Sequence, residues 1–532
     1  MALRFAPRLA LILAGLFASV IAGAAPLDLA TASIADVQAA FAAHSLTSEA
    51  LTKAYLKRIE AYDQHGPSIN TVITLNAKAI EQARALDAER RAGKVRGPLH
   101  GIPIVLKDNY DTFDLQTTGG SQLLLGSIPP DDAFVVKKLR AAGVVILAKV
   151  NLHEFAYGGG APNGYSSLGG QTHNPHDPSR GPSGSSGGTG AGIAAAFAQF
   201  GLGSDTAGSI RNPSSANGIA GIKPTRGLMS RDGIIPLALS FDTGGPMARN
   251  VYDLAVSLGV MTGVDAADPA TAASAGHFET DYTKFLKKGS LQGARIGVMR
   301  DFFGQSPQTD FVMEQTILKL QALGATIVDP IKLPEFLLRG IGPMHTMMID
   351  VEFKAQIAQY LSTLRPGFPR TLEELVVKAR DPKTAYTSPW KRDSMAGMDK
   401  AVGIDDPIYL AAKNQGLALT TAVVEGLFSK YKVDAMIYPS VPRPAGEIGE
   451  ARNPAAATGP ANPAALANET GFPDVIVPAG MTPAGLPVTV SFFGPAWSEG
   501  KLLGYAYDLE QATHAIALPK YTPQLATDIV VR

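Results

Sequence analysis

One lysine and two serines are the side chains in this sequence best placed to do chemistry. Lys107 closes the apolar run Ile104-Val-Leu106, which has the pattern of a buried strand. Two readings follow from this segment. Either the ammonium snorkels to the surface along its aliphatic stem, or it is buried, gives up its charge and serves as a general base. Between residues 158 and 245 glycine, serine and proline crowd together, with Ser185 inside Gly181-Pro-Ser-Gly-Ser-Ser-Gly-Gly188 and Ser209 ending Gly203-Ser-Asp-Thr-Ala-Gly-Ser209. Glycine at that density lets backbone amides approach a ligand closely or take up positive φ. An apolar helical pattern over 193–200 interrupts the tract, and a flexible linker would not need one.

Other chemistries fit the residues less well. The glycine-rich loops lack the Gly-Lys-Ser/Thr ending or the G-x-G-x-x-G spacing of a phosphate cradle. Gly184-Ser-Ser-Gly-Gly188 matches a nucleophile elbow in form, but prolines at 175, 178 and 182 break the strand such an elbow requires. Ser498-Glu-Gly-Lys501 has no partner motif. The nine histidines show no metal-binding spacing, and His153, in the most suggestive context, reads as a packed or hydrogen-bonded ring. No metal and no cofactor is expected. With no cysteine in the chain, thiol nucleophiles and disulfides are excluded.

The elements that must hold these residues read as α/β. Helical spacing over 47–62 follows a Thr47-Ser48 cap and precedes Gly66-Pro67. Helix, glycine and strand succeed one another at 131–148 and again at 311–328, and an apolar run follows at 433–438. Such alternation predicts a mostly parallel mixed central sheet covered by helices on both faces, in a single large domain. Residues 263–293 read as a polar excursion and about 344–405 as a helical insertion.

Arg4 and Arg8, the apolar stretch 9–21 and Ala22-Gly-Ala24 form an export signal over residues 1–24, too short to span a bilayer. The domain proper is then 25–532, periplasmic or secreted, with no membrane span after signal removal. Lys plus Arg and Asp plus Glu both count 47, so nothing in the charge points to nucleic acid or an anionic surface. The hydrophobic content of 45% supplies a large core.

Gly101-Ile-Pro-Ile-Val-Leu-Lys107-Asp-Asn, Ser183-Gly-Ser-Ser-Gly-Gly188, Gly203-Ser-Asp-Thr-Ala-Gly-Ser-Ile-Arg211 and Gly221-Ile-Lys-Pro-Thr225 resemble the signature blocks of the amidase signature family, in its order and spacing. Asn151-Leu-His-Glu-Phe-Ala156, Gly245-Pro-Met-Ala-Arg249 and Thr470-Gly-Phe-Pro473 extend the likeness over nearly the whole chain.

The resemblance implies a serine amidohydrolase acting through an acyl-enzyme. Lys107 is the base, Ser185 the serine after a cis peptide bond that relays the proton, and Ser209 the nucleophile. The backbone amides of Thr206, Ala207, Gly208 and Ser209 are the implied oxyanion hole. Asp205, Arg211 and Ser186 support the loop, and Thr225 and Arg249 are structural. A neutral lysine can activate a serine if burial draws its pKa from about 10.4 toward about 7 to 8. Ser183 and Ala207 stand where the family more often has glycine, so any positive φ at Ala207 would be strained.

Within the family, Ser230-Arg-Asp-Gly-Ile-Ile-Pro236, Asp242-Thr243 and Ala496-Trp-Ser-Glu499 look similar to bacterial peptide amidases, which implies peptide C-terminal amides as substrates beside small-molecule amides. A periplasmic solute-binding protein and an inactive amidase-like scaffold are the alternatives. Oligomeric state is not legible.

Overall fold

The computed structural model describes residues 26–449 and 463–530, so the proposed export signal lies outside the described residues. Apolar runs in the flanks and glycine-rich segments near the centre build one eleven-stranded sheet. From edge to edge its strands are Thr326–Ile331, Arg295–Met299, Ala435–Pro439, Pro487–Phe493, Asp474–Met481, Ala220–Lys223, Thr243–Ala248, Phe200–Asp205, Pro103–Lys107, Val145–Val150 and Val72–Leu75. Helices cover both sides, in one domain.

The sheet is mixed, and its balance lies further toward antiparallel than the helix-glycine-strand alternation implies. Four pairings are parallel, all in the two flanks, and six are antiparallel. The reason is local. The alternation marks the βαβ crossovers that parallel neighbours require, and these occur only in the flanks. The middle is built from strands such as Asp474–Met481 and Pro487–Phe493, which a short turn joins.

The expected helix over 47–62 forms as Ser48–Tyr62, with the Thr47 side chain accepting from the Ala50 N–H. The pattern at 193–200 is not a helix of its own. The helix there is Gly187–Ala194, buried along its whole length, and the chain turns through Ala196 at φ +56° before the next strand starts at Phe200. Glycine is a poor helix former, so tertiary burial and not local propensity sets that helix.

Residues near the proposed insertion fold as Glu335–Ser362, Leu372–Arg380 and Pro389–Met398. Their apolar faces build a second core with Phe155, Ile235, Leu237 and Phe241. These helices therefore rest on the loops that flank the serine-rich tract.

Candidate active site

Pro103–Lys107 lies between two parallel neighbours, Val145–Val150 and Phe200–Asp205. Covered on both faces, it is buried at all five positions, which accounts for its unbroken apolar run. Lys107 and Asp205 both end their strands, and the carboxyl ends of parallel strands are where α/β sheets place their sites.

Of the two readings for Lys107, the structure gives burial: the side chain is 0% exposed. Its Nζ lies 2.7 Å from Ser185 Oγ and 2.9 Å from Ser204 Oγ. Asn109 Nδ2 donates to the same Ser204 hydroxyl at 2.9 Å. Desolvation brings the lysine from 10.5 down to about 7, against the opposing pull of the Asp205 and Asp242 carboxylates.

The Gly184–Ser185 peptide is cis. The Ser185 carbonyl accepts from the His153 N–H at 2.9 Å, and the His153 ring accepts from the Gly164 N–H at 2.7 Å. A Cβ at 184 would stand 2.3 Å from His153 Cε1, so only glycine fits before Ser185. Ser186 joins the two serine loops. Its N–H donates to the Ser209 carbonyl at 3.1 Å and its Oγ to the Ser204 carbonyl at 3.2 Å.

The loop that carries Ser209 is held from below by Asp205. That carboxylate accepts from the Gly208 and Ile210 N–H groups at 2.8 and 3.0 Å. Arg211 grips it through Nε and Nη2 at 3.1 and 3.0 Å. Burial pushes the Asp205 pKa upward, but the Arg211 charge and these hydrogen bonds outweigh it and hold the carboxyl well below its usual range. Arg211 also pairs with Asp474 at 3.1 Å. The Gly208 N–H is committed to Asp205, whereas among the described residues no bond outside the strand ladders engages the Thr206, Ala207 or Ser209 N–H of the expected oxyanion set.

The two departures from the family pattern behave differently. Positive φ falls on Ser183, at +64°, and on Gly208, at +97°, while Ala207 is not among the residues with positive φ. The condition for strain at Ala207 is therefore not met, and the departure that takes positive φ is Ser183. Thr225 and Arg249 bind loops: Thr225 Oγ1 accepts from the Trp497 N–H at 2.9 Å and Arg249 donates to the Ala198 carbonyl at 2.7 Å.

Sequence reasoning gave no role to four residues that border the site. Ser204 and Asn109 meet at Lys107 through strand register, since Leu106 pairs with Leu202 and places Lys107 beside Gly203 and Ser204. Nothing in the sequence marks that register. Asp242 accepts from Thr206 Oγ1 at 2.5 Å and from the Leu237 and Ala238 N–H groups at 2.9 and 3.0 Å. His345 arrives from a helix 139 positions away and lies 3.0 Å from the Thr206 carbonyl.

A family model described as Amidase matches residues 50–503, and the chain belongs to that family. It is 35% identical over 478 residues to a Glutamyl-tRNA(Gln) amidotransferase subunit from Thermoanaerobacter pseudethanolicus, covering 88% of this chain and 94% of that one. Native peptide amidase from Stenotrophomonas maltophilia superposes with a TM-score of 0.86 and 38% identity, over 92% of this chain and 99% of that chain. An amidase family protein from Bacillus anthracis gives 0.80 and 30%, over 92% and 93%. The protein is an amide-hydrolysing enzyme, and the solute-binding alternative is not favoured.

Proposed function

We propose that this amidase hydrolyses carboxamides through a Ser209–Ser185–Lys107 relay. The observation that carries it is the 2.7 Å contact between a fully buried lysine and Ser185, with the Ser185 and Ser209 loops tied by the Ser186 N–H. Ser209 Oγ attacks the carbonyl carbon, its proton passing to Ser185 as Ser185 gives its own to neutral Lys107. The oxygen that becomes negative is received by the backbone N–H groups of Thr206, Ala207 and Ser209, each such donor being worth about 3 kcal/mol in the transition state. Ser185 then protonates the departing nitrogen as the C–N bond breaks, and Lys107 returns a proton to Ser185. Water, entering by the reverse path, releases the acid and restores Ser209.

We infer peptide C-terminal amides as the substrate class. The peptide amidase likeness supports this, as do the segment 230–236 and Asp242, which borders the pocket formed with Ser204, Thr206 and Ile235. The amidotransferase subunits are similar to nearly the same degree, so overall identity does not choose between the two. The 1–24 segment favours work outside the cytoplasm. A panel of peptide amides, small amides and anilides, scored for ammonia or amine release, tests the reading. Fast release from peptide amides supports it, and release confined to small or aryl amides contradicts it. Sequencing the mature amino terminus tests export, with Ala25 the expected first residue.

A further inference from the structure

We propose that His345 is a positioning residue for the oxyanion site, a reading that rests on the proposed role of residues 206–209. His345 sits in the helix Glu335–Ser362, is 4% exposed and stacks on Phe241 with ring centroids 4.0 Å apart. Its Nε2 lies 3.0 Å from the Thr206 carbonyl. A carbonyl only accepts, so Nε2 carries a proton and donates it there.

The Thr206 carbonyl belongs to the same planar peptide unit as the Ala207 N–H, and in a trans peptide the two point in opposite directions. Holding the carbonyl toward His345 therefore aims the Ala207 N–H away from His345. Ala207 carries one of the unengaged donors, and its position is one where the family more often has glycine. Its own side chain adds no polar anchor, and Thr206 Oγ1 is engaged by Asp242. Among the described residues, the His345 contact holds the rotation of this peptide plane from the carbonyl side.

The other face of the imidazole supports the same assignment. His345 Nδ1 and Glu469 Oε1 are 3.7 Å apart and buried, and neither has a hydrogen-bond partner among the described residues. Two lone pairs facing each other in a dry site would be unfavourable. Burial raises the Glu469 pKa, which favours its acid form and removes that repulsion while Nε2–H stays committed to Thr206. Glu469 is anchored in turn by Thr420 Oγ1 at 3.2 Å.

The test compares His345→Leu and His345→Phe, which remove the donor, with His345→Gln, which can return an N–H to the ε position. Steady-state kinetics on a peptide amide would be read beside inhibition by a peptide aldehyde, which forms a tetrahedral adduct with a serine nucleophile. Donorless variants should lose kcat by about tenfold to a hundredfold while KM stays within about twofold, since the oxyanion contact is made in the transition state. The aldehyde inhibition constant should rise by the same factor as kcat falls, and His345→Gln should recover most of both. Unchanged kcat, a kcat loss without weaker aldehyde binding, or failure of both donorless variants to fold would overturn the proposal. Ser209→Ala, run alongside, should be inactive. Turnover by that variant would overturn the underlying reading of the site and not the role of His345 alone.

Discussion

Lys107 Nζ and Ser185 Oγ stand 2.7 Å apart with the lysine side chain wholly out of water. That relationship fixes what the lysine can be: at about 7 its pKa leaves a large neutral fraction at physiological pH, and a neutral amine accepts a proton where an ammonium cannot. Lys107→Met should therefore reduce turnover by at least about a thousandfold while the fold persists, the size expected when a catalytic base is removed from a unit that acts together. Amide hydrolysis together with a thermal melt of the variant checks this.

The pH dependence has a definite sign. Activity needs the neutral amine, so kcat/KM should climb as pH rises through about 7 and then level. Stability moves the same way. The unfolded lysine stays protonated up to its ordinary value of 10.5, so between about 7 and 10.5 the unfolded state binds the extra proton and stability rises with pH. Below that window the cost is constant, about 5 kcal/mol at about 1.4 kcal/mol per pKa unit. Urea melts of wild type and Lys107→Met should show the variant gaining at neutral pH by less than this, since Ser185 and Ser204 lose a partner, and its advantage shrinking toward alkaline pH.

Much of the site was legible because it is local. The strand ending in Lys107, the glycine before Ser185 and the Asp205-to-Arg211 loop are each contiguous in sequence, and their residue types state their chemistry. What the chain does not display is register. Ser204 and Asn109 carry no assignment until Leu106 is paired with Leu202, and His345 carries none until its helix is laid over Phe241. The antiparallel centre of the sheet was hidden for the same reason, since short hydrophobic strands carry no mark of direction.

Arg211 neutralises two buried carboxylates, Asp205 and Asp474. Arg211→Met leaves both without their cation, and breaking a buried pair in this way costs about 3 to 5 kcal/mol. Chemical denaturation should show a loss of that order. Turnover should fall as well, because the Gly208 and Ile210 amides hang on the same carboxylate.

Ser183 is held at φ +64°, where a residue with a Cβ is strained by about 1 to 2 kcal/mol relative to glycine. Ser183→Gly should raise the unfolding midpoint, by less than that strain because glycine also gains freedom in the unfolded chain. Activity should be retained, since the Ser183 side chain is assigned no step in the relay. A melt and a single kinetic assay decide it.

The most direct measurement is the rate at which a fluorophosphonate probe labels the enzyme, with the modified residue mapped by mass spectrometry, in wild type, Ser185→Ala and Lys107→Met across a pH series. The relay predicts a single adduct on Ser209, forming faster as pH rises through about 7 and slowed by at least about a thousandfold in both variants. An adduct on another residue, or wild-type labelling of Ser209 in the Lys107 variant, would contradict it.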